Sequence, residues 1–154
     1  MKTLQAGDKA PQFSLQNQND ETVSLADFAG KKVLVYFYPK AMTPGCTVQA
    51  QGLRDVNEEL TAKNVVVLGI SPDAVKRLPK VIEKENLNCT LLSDEDHAVA
   101  DAFGVWGPKK FMGKEYDGIH RQTFLVDENG VIEHVFNKFK TKEHHTVVLD
   151  YLNS

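Results

Sequence analysis

The sequence predicts an α/β fold, with a central mixed β-sheet flanked by helices and an N-terminal hairpin added to it. Residues 33–38 (VLVYFY) and 65–70 (VVVLGI) are short runs rich in β-branched and aromatic residues, as in strands buried on both faces. Between them, residues 47–63 place Val48, Leu53, Val56 and Leu60 near helical spacing, so two parallel strands and a crossover helix form a βαβ unit. Residues 123–126 and 131–136 flank Asp127-Glu128-Asn129-Gly130, where Asn-Gly predicts a hairpin, so the late strands run antiparallel.

The remaining elements follow in chain order. Phe13, Leu15, Val23, Leu25 and Phe28 surround the polar residues 16–21 in an alternating pattern that suits the N-terminal hairpin. A helix is expected over 74–85, kinked at Pro79, then a short strand over 90–92. The next helix spans 94–103: Asp94, Glu95 and Asp96 compensate its dipole at the start, and Gly104 ends it. Residues 107–118 hold three glycines, one proline and four Lys or Glu residues, and read as a mobile surface loop whose ends, Trp106 and Tyr116, pack against the body. A final helix over 141–152, capped by Thr141, buries Val147, Val148 and Leu152.

A chain of 154 residues suits one domain over 1–154, against about 100–200 residues per domain in general. Eighteen Lys and Arg against 21 Asp and Glu give a net charge of −3, which offers no broad attraction to nucleic acid or anionic lipid. No apolar run approaches the roughly 18 residues needed to span a membrane, and residues 1–8 lack the apolar core of a signal peptide, so a cytoplasmic protein is expected. The only cysteines, Cys46 and Cys89, are too far apart for a metal knuckle. His97, His120, His134, His144 and His145 lack metal-ligand spacing and read as packed or solvated, so neither metal nor cofactor is expected.

The stretch that carries chemistry is residues 39–46 (PKAMTPGC), between the strand and its crossover helix, where α/β proteins commonly place their sites. Pro44 suits the first helical position, Thr43 caps that end, Gly45 permits close approach, and Cys46 falls in the first turn. Unpaired N–H groups and the positive end of the helix dipole favour a thiolate in such a place, so Cys46 is a candidate nucleophile.

At these residues the chain resembles the peroxiredoxins of the bacterioferritin-comigratory, or Q-type, group. The Pro-x-x-x-Thr-x-x-Cys spacing of Pro39, Thr43 and Cys46 carries the resemblance, together with Gly7 to Phe13, the VYFYPK run ending at Lys40, and Ser93-Asp94-Glu95. It implies a thioredoxin-like fold and reduction of hydrogen peroxide or organic hydroperoxides by Cys46 as peroxidatic cysteine. Thr43 would orient the peroxide, Pro39 shield the thiolate, and Arg121 stabilise charge as it moves from sulfur to oxygen, with Gln49 orienting the arginine.

Members of this group that resolve the oxidised sulfur within the chain carry a second cysteine five positions after the first, here Gln51, or near Ile82 and Glu83 on the next helix. Cys89 is then either a displaced resolving residue or a small core residue. The expected reductant is thioredoxin, or glutaredoxin or glutathione, and the chain is expected to be a monomer. The competing readings are a thiol-disulfide exchanger, which normally needs Cys-x-x-Cys, and a redox-sensing module that does not turn peroxide over.

Overall fold

The computed structural model describes residues 2–40 and 43–153, so Ala41 and Met42 of the strand-to-helix crossover lie outside the described residues. The chain runs β1 (Ser14–Asn17), β2 (Thr22–Ser24), β3 (Lys32–Phe37), α1 (Pro44–Ala62), β4 (Val65–Ser71), α2 (Leu78–Glu85), β5 (Thr90–Ser93), α3 (Ala98–Phe103), β6 (Trp106–Phe111), β7 (Lys114–Ile119), β8 (Thr123–Val126), β9 (Ile132–Phe136) and α4 (His144–Leu152). Seven strands form one mixed sheet in the order β2-β1-β5-β4-β3-β8-β9. Strands β3, β4 and β5 are parallel, and β8 returns antiparallel to β3. Among the described residues no helix is long and apolar enough to cross a membrane.

Strand β3 lies inside this sheet, between β4 and β8, and is buried on both faces, which is why its sequence is apolar at every position after Lys32. Leu34 and Tyr36 pack with Leu53 and Leu60 of α1, Val81 of α2 and Val148 of α4. Val33, Val35 and Phe37 point the other way, into a second cluster with Val99 and Phe103 of α3 and Phe124 of β8. Gly69 of β4 stands beside Tyr36 in the parallel register, and the tyrosine ring lies across it.

Several expectations need correction. Residues 107–118 are not a mobile loop: β6 and β7 pair antiparallel from Trp106–Ile119 to Phe111–Lys114 and form a two-stranded arm. The turn residues Met112 and Gly113 both have positive φ, 52° and 81°, as a type I′ hairpin requires. Trp106 stacks on His97 with ring centroids 3.8 Å apart, whereas Tyr116 is half exposed. Pro79 kinks nothing, because a 3₁₀ turn over Val75–Arg77 precedes α2 and the proline sits in that helix's first turn, where no N–H is missed. Helix α3 starts at Ala98 rather than 94, because the buried Asp94 carboxylate accepts from the N–H groups of Val99 and Ala100 and so must stay outside the helix it caps. Thr141 caps no helix either: it opens a 3₁₀ turn over Thr141–Glu143, and α4 begins at His144.

A methyl group at Gly69 would stand 2.7 Å from Tyr36 Cζ and Oη in a fully packed core. Gly69→Ala should therefore destabilise the protein by about 1–3 kcal/mol, the cost of overpacking. Urea unfolding checks this, and a midpoint equal to wild type would show that the ring has room to move.

Candidate active site

Strand β3 ends at Phe37, and the chain turns through Pro39 and Lys40 into α1. Pro44 occupies the first turn of that helix, where its missing N–H costs nothing. Cys46 is the third helical residue, in the first turn, where backbone N–H groups have no partner within the helix. The thiol is buried, only 4% exposed, and Tyr36, Tyr38, Ala50, Val81 and Leu91 line a small cavity beside it.

The loop between β7 and β8 delivers Arg121. Antiparallel pairing of β3 with β8 sets Tyr36 opposite Thr123, and the Phe37 N–H extends it by donating to the Gln122 carbonyl at 2.9 Å. Arg121 is thereby held over the first turn of α1. Its Nη2 donates to Cys46 Sγ at 3.3 Å and its Nη1 to Gln49 Oε1 at 2.5 Å. Gln49 follows Cys46 by three positions on the same helix face and is fully buried, so its amide acts as a fixed stop for the guanidinium.

Thr43 is the residue before the helix, at φ −95° and ψ 150°, but its side chain does not cap. The hydroxyl donates instead to the Lys40 carbonyl at 2.8 Å, which commits its only proton and leaves its lone pairs to accept. Gly45 is not demanded by space: a Cβ there would make ordinary contacts of 3.5 Å with Arg121 Nη2 and 3.7 Å with Thr141 Cγ2. Pro39 is half-buried directly after Tyr38.

Cys89 is not part of this cluster. The segment before it is tied to the second half of α1, with Arg54 Nη1 donating to the Glu85 carbonyl and Asn88 Nδ2 donating to the Arg54 carbonyl. Eight residues separate Cys46 from Arg54, about 12 Å along the axis at roughly 1.5 Å per residue, whereas a disulfide needs Cα atoms about 4.4–6.8 Å apart. Burial pushes the Cys89 thiol up to about 11, and its Sγ faces Asn88 Oδ1 at 3.6 Å. Both cysteines are free.

Two neighbours of Arg121 were not singled out as site residues from the sequence. His144, fully buried, shares a 2.8 Å hydrogen bond between its Nε2 and Thr123 Oγ1, two residues beyond the arginine. In the sequence it stands beside His145 with nothing to distinguish the two. Lys109 of β6 donates from Nζ to the Ile119 carbonyl at 2.8 Å, two residues before the arginine. Only the pairing of β6 with β7 could have revealed it.

Residues 6–135 match the AhpC/TSA family. Peroxiredoxin Bcp of Escherichia coli is 64% identical over 152 residues, covering 99% of this chain and 97% of its own. Peroxiredoxin Bcp of Bacillus subtilis is 46% identical over 142 residues, covering 92% and 90%. Among solved structures, the bacterioferritin comigratory protein of Xanthomonas campestris, described for its alkyl peroxide reduction activity, is similar with a TM-score of 0.86 at 32% identity, covering 92% of this chain and 90% of that one.

Burial pushes the pKa of His144 down from 6.5 to about 3, and His145 and Arg121 add repulsion to the charged form. The folded protein keeps this imidazole neutral where the unfolded chain would protonate it. Its contribution to stability is therefore complete above about pH 6.5 and is lost as pH falls toward 3, by up to about 1.4 kcal/mol per pH unit. His144→Gln can still hydrogen-bond Thr123 but cannot titrate, so its unfolding free energy should fall less steeply than that of wild type. Urea unfolding from about pH 8 to about pH 4 tests this, and parallel curves would show an imidazole that titrates normally.

Proposed function

The chain belongs to the AhpC/TSA family and is a peroxiredoxin, a thiol peroxidase, and from that premise we propose how its own residues carry the reaction. Cys46 is the peroxidatic residue, reducing hydrogen peroxide and organic hydroperoxides. The observation that carries this reading is the guanidinium of Arg121, stopped by Gln49 and donating to Cys46 Sγ at 3.3 Å. A cation activates any reactive thiol, but a guanidinium with paired donors suits a reaction in which charge passes from sulfur to a neighbouring oxygen.

In the proposed cycle the Cys46 thiolate attacks one peroxide oxygen. The S–O bond forms as the O–O bond breaks, and the electron pair leaves on the second oxygen, which takes up a proton and departs as water or an alcohol. Negative charge moves from sulfur to oxygen, and Arg121 can follow it because one guanidinium offers donors to both atoms. The Thr43 hydroxyl, its proton already given to Lys40, accepts from the incoming hydroperoxide. Pro39 covers the approach to the sulfur and limits water beside it.

Cys46 is left as a sulfenic acid. The separation of Cys89 from the first turn of α1, and its raised pKa, support reading it as a core residue and not as the resolving partner. Reduction then falls to an external thiol: attack on the sulfenic sulfur releases water and forms a mixed disulfide, which a second thiol breaks. Thioredoxin, glutaredoxin and glutathione can each supply these steps, and two free cysteines suit a reducing compartment such as the cytoplasm. We read residues 1–154 as one domain acting as a monomer, since a single chain supplies Cys46, Gln49 and Arg121 together.

Cys46→Ser should abolish thiol-dependent peroxide consumption, and Cys89→Ser should leave the first oxidation intact. Dimedone trapping and mass spectrometry after stoichiometric peroxide should find sulfenic acid on Cys46. A quantitative Cys46–Cys89 disulfide within seconds would overturn the one-cysteine reading. Arg121→Met should slow Cys46 oxidation by about 10²-fold or more, the scale for one preorganised donor, with Arg121→Lys recovering only part because an ammonium lacks the paired donors. Stopped-flow rates within a few-fold of wild type would assign Arg121 to the scaffold instead.

A further inference from the structure

The reaction releases an alkoxide or hydroxide that must be protonated, and the groups around Cys46 are poor proton donors. A guanidinium stays charged at any relevant pH, so Arg121 stabilises the leaving oxygen without protonating it. Thr43 has committed its proton to Lys40, and the Gln49 amide does not ionise. The arm formed by β6 and β7 brings in one further cation, Lys109. Its side chain lies across Gly118, where a Cβ would stand 3.2 Å from Lys109 Cδ, and the missing side chain lets the ammonium reach back toward the root of the arm. There it donates to the Ile119 carbonyl at 2.8 Å, two residues from Arg121.

An ammonium has three protons, and this bond uses one. Among the described residues no carboxylate forms an ion pair with Lys109, so its desolvation is not offset in the usual way. Burial and the Arg121 guanidinium lower its pKa, while the Cys46 sulfur acts in the opposite direction. A half-buried lysine under these influences gives up a proton more readily than one in water.

We propose that Lys109 is the general acid that protonates the departing oxygen, an inference that rests on Cys46 as the attacking sulfur. As the O–O bond breaks, one Lys109 N–H passes its proton to the leaving alkoxide. The hydroperoxide's own proton stays with the oxygen transferred to sulfur. The products are Cys46 sulfenic acid, an alcohol and a neutral Lys109 amine, which regains its proton from water.

Leaving groups of different basicity separate this role from a structural one. An alkyl hydroperoxide expels a strongly basic alkoxide that needs a proton, whereas peracetic acid expels acetate, which does not. In stopped-flow oxidation of Cys46, Lys109→Met should slow reaction with tert-butyl hydroperoxide by about 10²-fold, in the range for a lost general acid. The loss with peracetic acid should be at least about tenfold smaller. Lys109→Arg keeps the charge without a labile proton and should behave like Lys109→Met. Equal losses with both oxidants, a rate restored by arginine, or no loss at all would each overturn the assignment. Failure of wild type to form Cys46 sulfenic acid with either oxidant would instead sink the underlying reading, before any Lys109 variant is made.

Discussion

The antiparallel pairing of β8 with β3 is the constraint on which the site depends. It fixes the Phe37–Gln122 hydrogen bond at the end of the sheet and thereby sets the height at which Arg121 crosses the first turn of α1. Gln49 and His144 act on the same arrangement from either side, one stopping the guanidinium and the other holding Thr123. A shift of β8 by one residue would turn every side chain on it to the opposite face and carry the arginine away from the sulfur. The register of two buried strands is therefore also the alignment of the groups proposed to react.

This explains why so much apolar surface is gathered around β3. Both of its faces are covered, by α1, α2 and α4 on one side and by α3 with the N-terminal segment on the other. An arginine in a short loop pinned to a rigid strand loses little freedom on meeting the substrate proposed for it, whereas one on a free loop would have to be ordered at each turnover.

What could be read from the sequence was what leaves a periodic or chemical trace. The runs at 33–38 and 65–70, the helix between them and the Asn-Gly hairpin were visible because burial on both faces, amphipathicity and turn chemistry each impose a pattern. Cys46, Thr43, Pro39 and Arg121 stood out through a motif, and Gln49 only by its distance from it. The arm over residues 106–119 was missed for a physical reason: two strands projecting from the body have no continuous apolar face, so Gly, Pro and Lys outweighed the pairing. Thr43 was misread because its hydroxyl can either cap the helix or bond its own loop, and spacing does not distinguish the two. Lys109 left no trace, since its interest lies in the gap over Gly118 and the carbonyl it finds there.

The hydrogen bonds that join Arg121 to Cys46 and Gln49 span 75 and 72 positions of the chain. Contacts of such separation form late, because the long loop they close must first be drawn together. While the chain is still emerging or partly collapsed, residue 46 is a cysteine without its guanidinium, no better armed against peroxide than any other. On the proposed mechanism, the oxidant is engaged efficiently only after the last strands have docked, so the protein acquires its vulnerability to oxidation and its protection against misplaced oxidation at the same moment.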